Sequence, residues 1–283
     1  MLSIIKVVPR AIRPLGWIVF ILGGNKMNLE KAKLEFLRYT EPYKDLNFMC
    51  QLKINHTFRV MQLCEEIAKS LDLSKEDIEF AKYCGLLHDI GRFEQWRMYE
   101  TFDDSLSLDH AKLGVDILKN DDYIEEFYLE DSYIDTLLNS VYYHNKYELS
   151  DFLSDRDKLF CNIVRDADKI DILYLCSIGH ITREINSDNF SDKVFNQLLE
   201  GKQINRKDKI TSADSLSISL GLVFGLNYDK SIEIIKKKDY MNQIINLYQE
   251  KTNNRLMQLQ LEEVREVIEE YMKRSENYVR EKI

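Results

Sequence analysis

Chain-breaking residues are nearly absent from this sequence, which has 3 prolines and 10 glycines in 283 residues. Proline removes a backbone donor and glycine adds backbone freedom, so a chain poor in both runs readily as long helices. The apolar residues recur accordingly. Val60, Leu63, Cys64, Ile67, Ala68 and Leu71 step by three and one, which marks one stripe of a helix. Ser74 with Asp77 makes a capping box for a next helix, whose inner face holds Ile78, Ala81, Cys84 and Gly85 and which stops near Gly91. Residues 92–108 show no clear period and read as a loop carrying Phe93, Trp96, Tyr99 and Phe102. The period returns near His110, again from about residue 132 to 146, and from Asp155 through Phe160, Ile163, Val164, Ala167, Ile170 and Tyr174. Further helical segments follow Asp188, ending in a charged stretch over residues 261–278 with a narrow apolar stripe. No series of β-strands emerges. The expected fold class is all-α, a multi-helix bundle with additional C-terminal helices.

Three segments are expected. Residues 1–26 hold Lys6, Arg10 and Arg13 ahead of a short apolar run from Trp17 to Leu22. A helix needs about 20 apolar residues to span a bilayer, and no small-x-small cleavage site follows, so stable membrane insertion is not expected. This segment reads as an upstream extension before Met27, or as a weak targeting segment. Residues 27–185 form the main helical domain. Residues 186–283 are expected to pack on it, as a cap or a partner surface, and a homo-oligomer is compatible with them. The net charge of −9 excludes a general nucleic-acid binder, because the chain offers phosphates no overall cationic field. Five cysteines without a C-x-x-C pair read as small core residues in a reducing cytoplasm.

The chain has 5 histidines, and four fall at one kind of place. His56 lies four before Val60, His88 four after Cys84, His110 three before Leu113, and His144 three after Val141. Each is predicted to point inward from its helix. Asp89 follows His88 directly, and Asp168 lies four after Val164, on a packed face. A lone histidine on an apolar face is usually a satisfied core residue. Four of them with two inward aspartates are different, since buried ionisable groups cost several kcal/mol unless paired or metal-bound. Neutral imidazoles and carboxylates gathered around a cation remove that cost.

These residues occur as His56-Thr57-Phe58-Arg59-Val60, Leu87-His88-Asp89-Ile90-Gly91, Asp109-His110-Ala111-Lys112-Leu113-Gly114, His144, and Ala167-Asp168-Lys169-Ile170-Asp171. The ordered set resembles the HD-domain superfamily of metal-dependent phosphohydrolases, over about residues 50 to 175. The resemblance implies that His56, His88, Asp89 and Asp168 hold one divalent ion, and that Asp89 bridges to a second completed by His110 and His144. It implies one or two ions from among Mn, Fe, Co, Ni, Zn and Mg, with a metal-activated water as the nucleophile. The substrate implied is a small phosphorylated molecule, a nucleotide or similar. Asp89 and Arg92 are the expected catalytic residues. Arg92, one turn past Asp89, and Lys146, two residues past His144, are the candidate phosphate-binding cations. Arg59 and Arg165 are expected to orient carboxylates such as Asp171. The aromatics of 93–102 suit either a nucleobase stack or anchors on the core.

After His144 the chain reads Asn145-Lys146-Tyr147-Glu148-Leu149, without a G-Y-P run, so resemblance to cyclic-di-GMP phosphodiesterases of the HD-GYP type is poor. No synthetase segment accompanies the motifs. Two rival readings stay open at the level of sequence. HD-fold di-iron oxygenases use four histidines and two aspartates, and a non-catalytic sensor or interaction module could keep the bundle alone.

Overall fold

The computed structural model describes residues 27–44, 47–182 and 188–280. The segment 1–26 lies outside the described residues. Among those described, all regular structure is helical and no strand occurs. The helices are α1 (Leu29–Thr40), α2 (Phe48–Ser70), α3 (Lys75–Leu87), α4 (Gly91–Tyr99), α5 (His110–Lys119), α6 (Asp131–Tyr143), α7 (Asp155–Ser177), α8 (Asp192–Leu199), α9 (Asp214–Gly221), α10 (Asp229–Lys238), α11 (Tyr240–Lys251) and α12 (Arg255–Arg280). No described helix is long and apolar enough to cross a membrane.

The chain forms two compact units. Of the described residues, one takes those up to 62 together with 74–161, the other 63–73 together with those from 162 onward. In the first unit α1 packs on α3, α3 on α6, α6 on α5 and α5 on α4. Its core is aromatic: Phe36, Phe80, Phe93, Phe127 and Phe160 are fully buried. Phe80 meets Phe160 edge to face with centroids 4.6 Å apart, and Phe36 meets Phe93 at 5.9 Å. Such pairs add about 0.5–1.5 kcal/mol beyond their burial. The capping residue Ser74 does what its position predicts, its Oγ accepting from the Asp77 amide at 3.1 Å. All five cysteines are buried.

The stretch 92–108, aperiodic in sequence and read there as a loop, is helix α4 over its first half, 92–99. The physical reason is that α4 buries polar groups beside its apolar ones, which erases the apolar period. Glu94 is fully buried, accepting from the Tyr43 hydroxyl at 3.0 Å and pairing with Arg97. Gln95, also buried, donates to Asp104 Oδ1, Ser107 Oγ and the Leu108 carbonyl. Of the aromatics, Phe93 belongs to the core and Trp96 packs on Phe102 with centroids 4.9 Å apart.

Gly91 sets the spacing of α4 and α5. A Cβ there would fall 2.2 Å from the His110 carbonyl oxygen and 2.6 Å from the Gly114 amide nitrogen. Both are backbone atoms, which cannot swing aside. The absence of a side chain lets the start of α4, and Asp89 just before it, approach the first turn of α5.

In the second unit α8 packs on α9 and α12, while α10, α11 and α12 contact one another. Their core holds Ile235, Ile244, Ile245, Met257, Leu261, Val264 and Ile268. α12 begins six residues earlier than its apolar stripe suggests. Asn254 caps it, accepting from the Leu256 and Met257 amides at 2.9 and 3.3 Å. Buried Asp166 on α7 caps α10 from a distance. It accepts from the Asn227 amide, the Tyr228 amide at 3.0 Å and the Ser231 hydroxyl at 2.7 Å. Arg165 and Asp171 are buried on the same helix, and Asp168 is half-buried there.

Candidate metal centre

Each histidine of the first unit is placed by a helix end or an apolar face. His56 lies on α2, its side chain turned inward with Ile54, Val60 and Met61. His88 and His144 follow the last residues of α3 and α6. There the carbonyls three residues back lack helical partners, and each ring uses one. His88 Nδ1 donates to the Gly85 carbonyl at 2.8 Å and His144 Nδ1 to the Val141 carbonyl at 2.7 Å. His110 opens α5, whose cap is Asp109, accepting from the Ala111 and Lys112 amides.

The five residues converge. His56, His88, Asp89, His110 and His144 are all 6% exposed or less. Asp89 Oδ2 lies 3.5 Å from His56 Nε2 and 3.6 Å from His88 Nε2. Asp89 Oδ1 lies 3.3 Å from His110 Nε2 and 3.5 Å from His144 Nε2. Within the pairs, the two Nε2 atoms are 3.3 Å apart for His56 and His88, and 2.9 Å apart for His110 and His144. Two triads therefore offer ligand atoms within 4.8 Å of one another, His56–His88–Asp89 and Asp89–His110–His144, with the carboxylate common to both.

The protonation pattern fits a cation. A carbonyl only accepts, so His88 and His144 carry their ring proton on Nδ1, and Nε2 of the neutral ring is a lone pair. His110 Nδ1 likewise donates to Asp104, at 2.7 and 2.8 Å to its two oxygens. His110 and His144 thus turn two lone pairs toward each other and toward Asp89, an arrangement that repels itself and that a positive ion resolves. Burial, and then the nearby Arg92 charge, push the His110 pKa down, which keeps the ring neutral. Burial alone would raise the Asp89 pKa. The Lys53 ammonium beside it outweighs burial and holds the carboxyl well below the usual range. A mixed set of imidazole nitrogens and a carboxylate suits the first-row divalent ions.

Three other side chains shape the centre. Arg92 is 13% exposed, with Nε 3.4 Å from Asp89 Oδ1 and Nη1 donating to Asp104, Gln95 and the Phe102 carbonyl. Lys146 pairs with Asp109 and lies 4.7 Å over the Tyr142 ring. Lys53 and Asp104 were not singled out from the sequence. Lys53 Nζ lies 2.5 Å from Asp89 Oδ2. It is three residues before His56, so helical spacing places it on that face, but a lysine on a helix is ordinarily solvated and gives no signal. Asp104 sits in aperiodic chain, where spacing says nothing. Asp168 belongs to the second unit, on α7.

Residues 54–173 match the family model described as HD domain. Ribonuclease Y 1 of Pediococcus pentosaceus is 38% identical over 102 residues, covering 36% of this chain and 16% of that protein. No solved structure matches the chain.

Proposed function

Since residues 54–173 of this chain match the HD-domain family model, we propose that it is a metal-dependent phosphohydrolase that cleaves a phosphoester of a nucleotide or similar small phosphorylated substrate. The observation that carries this reading is the split use of Asp89, one oxygen toward each histidine pair. Similarity to a protein named as a ribonuclease supports a phosphoester as the bond class. The net charge of −9 favours a small substrate over an extended nucleic acid. Buried thiols suit a reducing cytoplasm.

His56 and His88 would hold one ion, His110 and His144 a second, and Asp89 would bridge them. When bound, such ions supply Lewis acidity at the phosphoryl oxygens and lower the pKa of an attacking water. The chain's own residues do the rest. The carbonyls of Gly85 and Val141 fix the tautomers of His88 and His144. Arg92 steadies Asp89 and, through Asp104, the ring of His110. Burial of the ligands excludes bulk water and strengthens each charge. Arg92 and Lys146 complete the positive edge that meets the substrate phosphate.

Elemental analysis of the purified chain, paired with phosphate release from a nucleotide panel with added Mn²⁺, tests this. One to two metals per chain and metal-dependent release are expected. Asp89→Ala is expected to lose both while keeping its helical circular dichroism, and full activity in that variant would sink the assignment. Two irons with oxygen consumption and no phosphate release would favour an oxygenase. No bound metal would favour a binding module.

A further inference from the structure

Three cations stand around Asp89 and its ligand neighbours, and two are held by residues outside the expected ligand set. Arg92 Nη1 is shared among Asp104, Gln95 and the Phe102 carbonyl. Lys146 is tied to Asp109, the cap of α5. Lys53 differs. Its Nζ lies 2.5 Å from Asp89 Oδ2, the same oxygen that faces His56 and His88. Its side chain is 22% exposed where that of Asp89 is 2% exposed, so the ammonium approaches the buried carboxylate from the solvent side.

We propose that Lys53 is an exchangeable counter-ion of this centre, pairing with Asp89 before metal arrives and binding a substrate phosphate oxygen afterwards. Two cations on one carboxylate oxygen repel, so a divalent ion at Oδ2 displaces the ammonium. The half-exposed four-carbon stem lets Nζ swing outward without unburying the helix face. A lysine ammonium is a mobile point charge with three donors, suited to a phosphate oxygen whose position varies. Arg92, 13% exposed and shared among several acceptors, lacks that freedom. The ligand class is a phosphoryl anion. The phosphate half of the proposal rests on the phosphohydrolase reading, whereas the exchange with metal does not.

The test uses the full chain and its Lys53→Met, Lys53→Gln and Lys53→Arg variants, each checked for helicity. Calorimetric titration reads Mn²⁺ affinity first, then the affinity of the Mn²⁺-loaded protein for inorganic phosphate. Removing a competing charge-assisted bond is expected to tighten Mn²⁺ binding about tenfold in Lys53→Met and Lys53→Gln. The same two variants are expected to bind phosphate about tenfold more weakly or worse, with Lys53→Arg recovering most of that loss. Unchanged Mn²⁺ affinity in the neutral variants would overturn the exchange. Unchanged phosphate affinity in them would overturn the phosphate role. Tighter Mn²⁺ binding with no phosphate binding by any protein, the parent included, would overturn the phosphohydrolase reading and leave the exchange standing.

Discussion

His110 donates from Nδ1 to Asp104, and its Nε2 faces Asp89 Oδ1 at 3.3 Å. Asp104 itself accepts from the side chains of Arg92, Gln95 and Asn145. Burial pushes its pKa up, but the hydrogen bond from His110, then the Arg92 charge and the Gln95 hydrogen bond, keep the carboxyl well below its usual range. A charged acceptor on Nδ1 raises the basicity of the ligating nitrogen and fixes the ring. Asp104→Asn keeps the size and removes the charge. Affinity at the His110–His144 position is expected to fall about 10–100-fold with helicity unchanged, read by Mn²⁺ titration and circular dichroism. Two ions held as tightly as in the parent would refute the role. The four converging histidines were legible in the sequence because each is a polar residue on an otherwise apolar stripe, which is costly unless something pairs with it. Asp104 was not, since a carboxylate in aperiodic chain costs nothing that a pattern can register.

At the scale of elements, the pattern reports which side of a helix is apolar and falls silent where a helix buries polar groups. α4 is such a case, with Glu94 and Gln95 turned inward beside Phe93. The close approach of α4 and α5 at Gly91 is equally invisible, because it depends on backbone atoms that meet across a gap of sequence. Gly91→Ala would push its Cβ into the His110 carbonyl and the Gly114 amide. Overpacking of this kind costs about 1–3 kcal/mol, read as a lower urea midpoint, and Mn²⁺ binding is expected to weaken as His110 moves off Asp89. In the second unit Asp214, at the start of α9, accepts from the Ser191 amide and hydroxyl and from the Ile210 and Thr211 amides, at 2.8–2.9 Å. Burial raises its pKa, but these donors outweigh burial and hold it below its ordinary value. A carboxyl whose folded pKa lies below its unfolded pKa of about 3.9 contributes stability above that pH, and loses it as pH falls through the folded value. Asp214→Asn is therefore expected to cost about 1–3 kcal/mol at pH 7, with the difference from the parent shrinking below about pH 4. Equal urea midpoints at pH 7 would exclude the contribution.

Over the whole molecule, helical class was readable because so few breakers interrupt the chain, whereas the grouping of helices was not. Residues 63–73 join those from 162 onward with no glycine- or proline-rich linker to mark the change, so the division falls inside α2 and α7. The centre of the first unit gathers His56, His88, Asp89, His110 and His144 from segments that lie far apart in an unfolded chain. A divalent ion that binds this gathered set and not the unfolded chain must stabilise the fold. Linkage gives about 2.7 kcal/mol at a free metal concentration of 100 times Kd. For domains of about 150–250 residues, 1 kcal/mol moves Tm by about 2–4 °C, so saturating Mn²⁺ against chelator is expected to raise Tm by about 5–10 °C. Asp89→Ala, which removes the residue common to both triads, is expected to abolish the difference. The dependence on pH has a definite sign. Metal competes with protons for the histidines, so the Mn²⁺-induced rise should shrink as pH is lowered. The depressed His110 pKa moves that loss to lower pH than an unperturbed imidazole would give. Thermal unfolding with Mn²⁺ or chelator at pH 8, 7 and 6 reads all of this, and equal Tm values with and without chelator at pH 8 would refute a metal held by these residues.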